Sequence, residues 1–165
     1  FSLVIGGAGS GKSAHAERLL TDTGRPLLYI ATGQAYDEEM QRKIELHQDR
    51  RGAVWRTIEA PLDVPAALTR AHPDEAVLLD CATLWLTNHI FAESDLDAEE
   101  ARLITAITTC PAPVVVVTNE VGAGIVPENA LARRFRNAQG ALNQRLAAAA
   151  DSVTAVMAGL PLVLK

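Results

Sequence analysis

Residues 6–13 read Gly6-Gly7-Ala8-Gly9-Ser10-Gly11-Lys12-Ser13, directly after the apolar Leu3-Val4-Ile5 and directly before a stretch of helical period. Gly6-x-x-x-x-Gly11-Lys12-Ser13 satisfies the full Walker A pattern in the strand, loop and helix context that the pattern requires. The chemistry follows from the residue types. Glycines let successive backbone N–H groups turn inward around phosphate oxygens, Lys12 brings a point charge to the outer phosphates, and the Ser13 hydroxyl can ligate magnesium. A mere glycine-rich turn would need neither Lys12 nor Ser13.

Working outward, short apolar runs rich in Leu or β-branched residues occupy 2–5, 27–31, 54–58, 76–80, 114–118 and 153–157. A final apolar piece at 162–164 is a candidate edge strand. Segments of helical period lie between the runs, which is the pattern of a mostly parallel sheet with crossover helices on both faces. A length of 165 residues suits one such domain, spanning 1–165. The expected fold is therefore α/β, P-loop NTPase-like (RecA-like). Helices are predicted at 13–20, at 37–50 with acidic residues near its start, and at 128–149. In the last, Leu131, Phe135, Ala138, Leu142 and Leu146 form the expected buried stripe, with Arg133, Arg136, Asn137 and Gln144 off it.

Hydrophobic residues make up 48% and charged residues 21%, which is globular composition, and aromatics at 4% leave the core to Ala, Leu, Val and Ile. The net charge of −5 argues against a large basic face for nucleic acid and points to a small anionic ligand held by local donors. Cys81 and Cys110 lack C-x-x-C spacing or a companion His cluster, so neither a disulfide framework nor a zinc site is suggested, and a reducing cytoplasm fits. The apolar runs are strand-length, far short of a membrane span, and residues 1–5 lack the flanks of a signal peptide. The chain starts without Met at the edge of its first strand, so a few leading residues are expected before Phe1.

Ala76-Val77-Leu78-Leu79-Asp80 reads as a buried strand ending in a carboxylate that can hold magnesium or its water shell, the Walker B form. Alone it is a weak signal, because apolar strands often end in an acid at a turn. His47 recurs with Met40 and Ile44 at helical spacing and is followed by Gln48-Asp49-Arg50-Arg51. A neutral imidazole there could attack the α-phosphate of a triphosphate while the arginines stabilise the added charge, although a histidine on an apolar helical face is more often a core or capping residue. The run Val117-Thr118-Asn119-Glu120-Val121-Gly122-Ala123-Gly124-Ile125-Val126-Pro127-Glu128-Asn129 leaves a buried strand on the edge where open α/β sheets bind ligands. Asn119, Glu120, Glu128 and Asn129 could contact a hydroxyl or amide, and turn or helix-cap roles are equally open for each.

Taken together these residues resemble a known family, the bifunctional adenosylcobinamide kinase/adenosylcobinamide-phosphate guanylyltransferases. The resemblance spans almost the whole chain. It rests on residues 6–13, Tyr29-Ile30-Ala31-Thr32, residues 40–51 followed by Trp55-Arg56-Thr57, and Leu79-Asp80-Cys81. It continues through Thr118-Asn119-Glu120-Val121-Gly122, Gly124-Ile125-Val126-Pro127-Glu128-Asn129, Arg136 and Asn143-Gln144-Arg145-Leu146-Ala147. It implies a two-step enzyme. A nucleoside triphosphate, ATP or GTP, first phosphorylates the free hydroxyl of adenosylcobinamide. The histidine matching His47 then attacks the GTP α-phosphate, expels pyrophosphate and carries GMP to adenosylcobinamide phosphate. By the same matching, Lys12, Asp80 and His47 are catalytic, and Gly6, Gly7, Ala8, Gly9, Ser10, Gly11, Lys12 and Ser13 bind phosphates. Ala31, Thr32, Gly33, Gln48, Asp49, Arg50, Arg51, Glu59 and Asp80 fall on the guanine-nucleotide contacts, Ser13 and Asp80 hold Mg2+, and the assembly is a homotrimer with sites near subunit interfaces. Two positions depart from the family pattern, with Gly9 where Arg is frequent and Asp80 where Glu is frequent.

Two other readings compete with this one. A P-loop kinase for another small hydroxyl compound would leave His47 structural and form no covalent nucleotide. A nucleotide-binding regulatory module would use the loop after Thr118 to report nucleotide state to a protein partner.

Overall fold

The computed structural model describes residues 1–34 and 54–165. The predicted helix at 37–50, with His47, Gln48, Asp49 and Arg50, and the following Arg51 lie outside the described residues. Among the described residues seven strands form one sheet, β1 (Ser2–Gly6), β2 (Leu27–Ala31), β3 (Trp55–Glu59), β4 (Ala76–Asp80), β5 (Val114–Asn119), β6 (Ser152–Met157) and β7 (Leu160–Val163). The order across it is β3-β2-β4-β5-β1-β6-β7, parallel except for β7, which runs antiparallel to β6. Described helices are α1 (Lys12–Thr21), α2 (Val64–Leu68), α3 (Ala82–Phe91), α4 (Leu96–Thr109) and α5 (Ala130–Ala149).

The central strands read as unbroken apolar runs because both of their faces are covered. On one face Val4, Leu78, Val115 and Val117 pack with Ala16 and Leu20 of α1. On the other, Leu3, Leu79, Val114 and Val116 pack with Trp85 and Leu86 of α3, Leu103 of α4, and Leu142 and Leu146 of α5. β3 is an edge strand in which Ile58 alone is buried, and it runs one residue later than the 54–58 pattern suggests, Val54 being 71% exposed. The expected edge piece at 162–164 overlaps the end of β7, which starts at Leu160, stops at Val163 and has all four of its residues exposed.

Caps fix the helix starts. Asp95 accepts from Ala98 N at 3.2 Å ahead of α4, and Asp97 and Glu99 complement the dipole in its first turn. Asn129 accepts from Leu131 N at 2.8 Å and Ala132 N at 3.1 Å, so α5 begins at Ala130. The α5 stripe differs from the sequence expectation. Leu131 is 48% exposed, whereas Gln139 and Asn143 are buried with Leu142 and Leu146. These amides turn inward because Thr118 of β5 meets them, its hydroxyl lying 2.7 Å from Asn143 Oδ1 and accepting from Gln139 Nε2 at 3.0 Å.

Candidate active site

The glycine-rich loop expected to cradle phosphate, residues 6–13, lies between β1 and α1. Gly11 is the N-cap of α1, with φ +91° and no side-chain cap, so the first-turn N–H groups of the helix have no side-chain acceptor from the cap residue. Two glycines leave little room for a side chain. A Cβ at Gly6 would sit 2.5 Å from both Ser10 Oγ and the Val156 carbonyl oxygen. One at Gly11 would sit 3.1 Å from Gly159 Cα, backbone that cannot rotate away. Gly9 is different, because its φ of +69° favours glycine while the space around it is open. Lys12 Nζ donates to the Gly7 carbonyl at 3.1 Å, which places the ammonium over the loop. The far wall is the β6–β7 turn, where Ala158 and Gly159 both have positive φ, as a two-residue hairpin of the primed type needs. Gly159 N donates to Ser10 O at 2.8 Å.

Asp80 ends β4 on the same sheet face as α1, since Ala76 and Leu78 pack there by strand alternation. Its Oδ2 accepts from the Tyr29 hydroxyl at 3.1 Å. The hydroxyl of Ser13, in the first turn of α1, and the Asp80 carboxylate are hard oxygen donors. No group of three or more His, Cys, Asp and Glu able to hold a metal occurs among the described residues. Two such donors fit a cation that takes most of its ligands from phosphate and water, as Mg2+ does.

The expected nucleotide contacts outside the cradle gather on the same carboxyl edge. Ala31 of β2 is in register with both Glu59 of β3 and Asp80 of β4, and Thr32 and Gly33 follow it. Thr32 is fully buried and holds the edge together. Its N–H donates to Asp80 O at 3.2 Å, its hydroxyl bonds both the N–H and the carbonyl of Cys81 at 2.8 Å, and its carbonyl accepts from Asn88 Nδ2 at 2.8 Å. The chain leaves this edge after Gly33 and returns at β3, and His47 falls in that connection, outside the described residues. Cys81 is no nucleophile, since burial, aided by the charge of Asp80, pushes its thiol up to about 12.

At the end of β5, Asn119 is in register with Gly6, and the next N–H, that of Glu120, donates to Gly6 O at 3.1 Å. The Glu120 carboxylate folds back onto Gly122 N within its own loop. Asn129 serves as the α5 cap, and Glu128 lends its carbonyl to Arg133. Tyr29 and Gly159 touch Asp80 and the glycine loop, contacts that strand and turn patterns alone do not single out. The signals for Tyr29 are its place in the Tyr29-Ile30-Ala31-Thr32 motif and a phenol in an otherwise aliphatic strand, two residues from the carboxyl end.

Residues 2–164 match the family model described as cobinamide kinase / cobinamide phosphate guanyltransferase. The chain is 48% identical over 179 residues to the bifunctional adenosylcobalamin biosynthesis protein CobU of Salmonella typhimurium, covering 99% of this chain and 98% of that one. It is 45% identical to the protein of that name from Escherichia coli, with the same coverage, and 44% identical to the bifunctional adenosylcobalamin biosynthesis protein CobP of Pseudomonas aeruginosa, covering 99% and 96%. Among solved structures it is similar to the RadB recombinase, with a TM-score of 0.55 at 16% identity over 93% of this chain and 72% of that one, a likeness of fold that is RecA-like. These matches leave no room for a regulatory module or a kinase of unrelated small molecules: the chain belongs to the cobinamide kinase / cobinamide phosphate guanyltransferase family and is a bifunctional enzyme of adenosylcobalamin biosynthesis.

Proposed function

We propose that one cradle, residues 6–13, grips the triphosphate in both reactions, and that the covalent step belongs to His47. The observation that carries this reading is the placement of Lys12, Asp80 and the Ala31/Glu59 pair along one sheet edge. In the kinase step the donor, ATP or GTP, lays its outer phosphates against the open N–H groups at Gly11 and the Lys12 ammonium. The adenosylcobinamide hydroxyl attacks the γ-phosphorus, the bond to the β,γ-bridging oxygen breaks, and a nucleoside diphosphate leaves. Ser13 and Asp80 would hold Mg2+, with Tyr29 orienting the carboxylate. Bound there, the cation supplies charge neutralisation to the phosphates.

In the guanylyl step the His47 imidazole bonds to the GTP α-phosphorus and pyrophosphate departs. Adenosylcobinamide phosphate then displaces the imidazole from the GMP, giving adenosylcobinamide-GDP. Gln48, Asp49, Arg50 and Arg51 contact this nucleotide with Ala31, Thr32, Gly33 and Glu59, an assignment resting on the family resemblance. So does a homotrimer with sites near subunit interfaces. A reducing cytoplasm suits the two cysteines, which are both free. No helix among the described residues is long and apolar enough to cross a membrane. Incubation with α-labelled GTP and magnesium is expected to leave acid-labile, base-stable label on the protein, and His47→Ala to abolish it. Label persisting on that variant would sink the histidine assignment.

A further inference from the structure

Asn119 ends β5 beside the cradle, and its backbone is clamped from behind. Its N–H donates to Thr83 Oγ1 at 2.8 Å, and its carbonyl accepts from Asn143 Nδ2 at 3.0 Å. Thr83 and Asn143 are themselves buried, and Thr118 and Gln139 tie them into one polar network. This network lies on the α3/α5 side of the sheet. Strand alternation turns Asn119 to the opposite side, the one on which Val115 and Val117 pack with α1 and on which Asp80 lies. Its side-chain oxygen Oδ1 is buried and has no hydrogen-bond partner among the described residues. A buried carbonyl oxygen held on a rigid strand end and left unpaired is expensive unless a ligand donor completes it. Phosphate oxygens cannot do so, because they only accept. A donor that this edge receives during the kinase step is the attacking hydroxyl.

We propose that Asn119 accepts a hydrogen bond from the cobinamide hydroxyl and aims the oxygen lone pair at the γ-phosphorus of the triphosphate held by residues 6–13. The inference rests on the cradle assignment under Proposed function. Asn119 takes no proton. As the new O–P bond forms and the bond to the β,γ-bridging oxygen breaks, the hydroxyl proton passes to the transferred phosphoryl group and from there to water. Glu120, engaged within its own loop, does not compete for this role.

The test uses the full chain with cobinamide, magnesium and γ-labelled GTP, and in parallel α-labelled GTP without cobinamide. Asn119→Leu keeps the shape and removes the acceptor, while Asn119→Asp keeps an acceptor oxygen. Asn119→Leu is expected to lower kcat for cobinamide phosphorylation by about tenfold or more, with the KM for nucleotide and the α-label on the protein at wild-type levels. Asn119→Asp is expected to retain more phosphorylation than Asn119→Leu. Turnover of the Leu variant within about twofold of wild type, equal losses in the Leu and Asp variants, or a parallel loss of α-label would each overturn the proposal. Should Asn119→Leu fail to fold, Asn119→Ala takes its place in the same comparison. Lys12→Ala separates the underlying reading, since phosphorylation surviving in that variant would refute the cradle assignment instead.

Discussion

The backbone N–H of Gly159 donates to the carbonyl oxygen of Ser10 at 2.8 Å, so the hairpin turn that carries the antiparallel edge strand is also a wall of the glycine loop at residues 6–13. Gly11 adopts φ +91°, and a Cβ there would stand 3.1 Å from Gly159 Cα. Gly11→Ala therefore combines left-handed strain with a tight backbone contact, at a cost of about 1–3 kcal/mol. Urea denaturation is expected to show that loss together with weakened nucleotide binding. A variant as stable as wild type with unchanged affinity would mean that the turn does not brace the loop.

Tyr29 reaches from β2 to Asp80 on the neighbouring strand, its hydroxyl 3.1 Å from Oδ2. Removing that bond leaves the carboxylate in place but less constrained, a change worth about 0.5–1.5 kcal/mol. For Tyr29→Phe, a magnesium titration of cobinamide phosphorylation is expected to shift to higher concentration by about 2- to 10-fold, with maximal turnover largely recovered at saturation. An unchanged titration would show that the phenol does not orient the metal-holding group.

Much of this was legible in the sequence, for a physical reason. Glycines at fixed offsets and strands buried on both faces leave local signals, so the cradle, Asp80 and the central strands can be read without a structure. The α5 face could not be read in the same way. Helical period selects Leu131, but that residue is exposed, whereas Gln139 and Asn143 go inside because Thr118, distant in sequence, supplies their partner. Gly159 is similar, since a hairpin turn signal says nothing about which loop the turn will touch. Asn129 had cap and ligand readings open, and the structure gives it the cap.

Glu75 offers a test of stability away from the site. Arg56 donates to its carboxylate from Nε at 2.9 Å and Nη2 at 2.8 Å, and this pairing holds the folded carboxyl below the usual range, reinforced by the His72 N–H. A lowered folded value means that the unfolded chain takes up protons first as pH falls. The contribution is therefore full above the ordinary glutamate value of about 4.3 and is lost as pH drops through the lower folded value. Glu75→Gln is expected to be less stable than wild type at neutral pH, with the gap closing in acid. A gap that widens on acidification would reverse the sign of this account.

A single triphosphate grip serving both chemistries is tested by applying both labelled forms of GTP to Lys12→Ala. With cobinamide and γ-labelled GTP, phosphorylation is expected to fall by at least about 100-fold. With α-labelled GTP alone, covalent label on the protein is expected to fall with it. Loss of cobinamide phosphorylation with wild-type guanylylation of the protein would contradict the shared cradle and require a second triphosphate site.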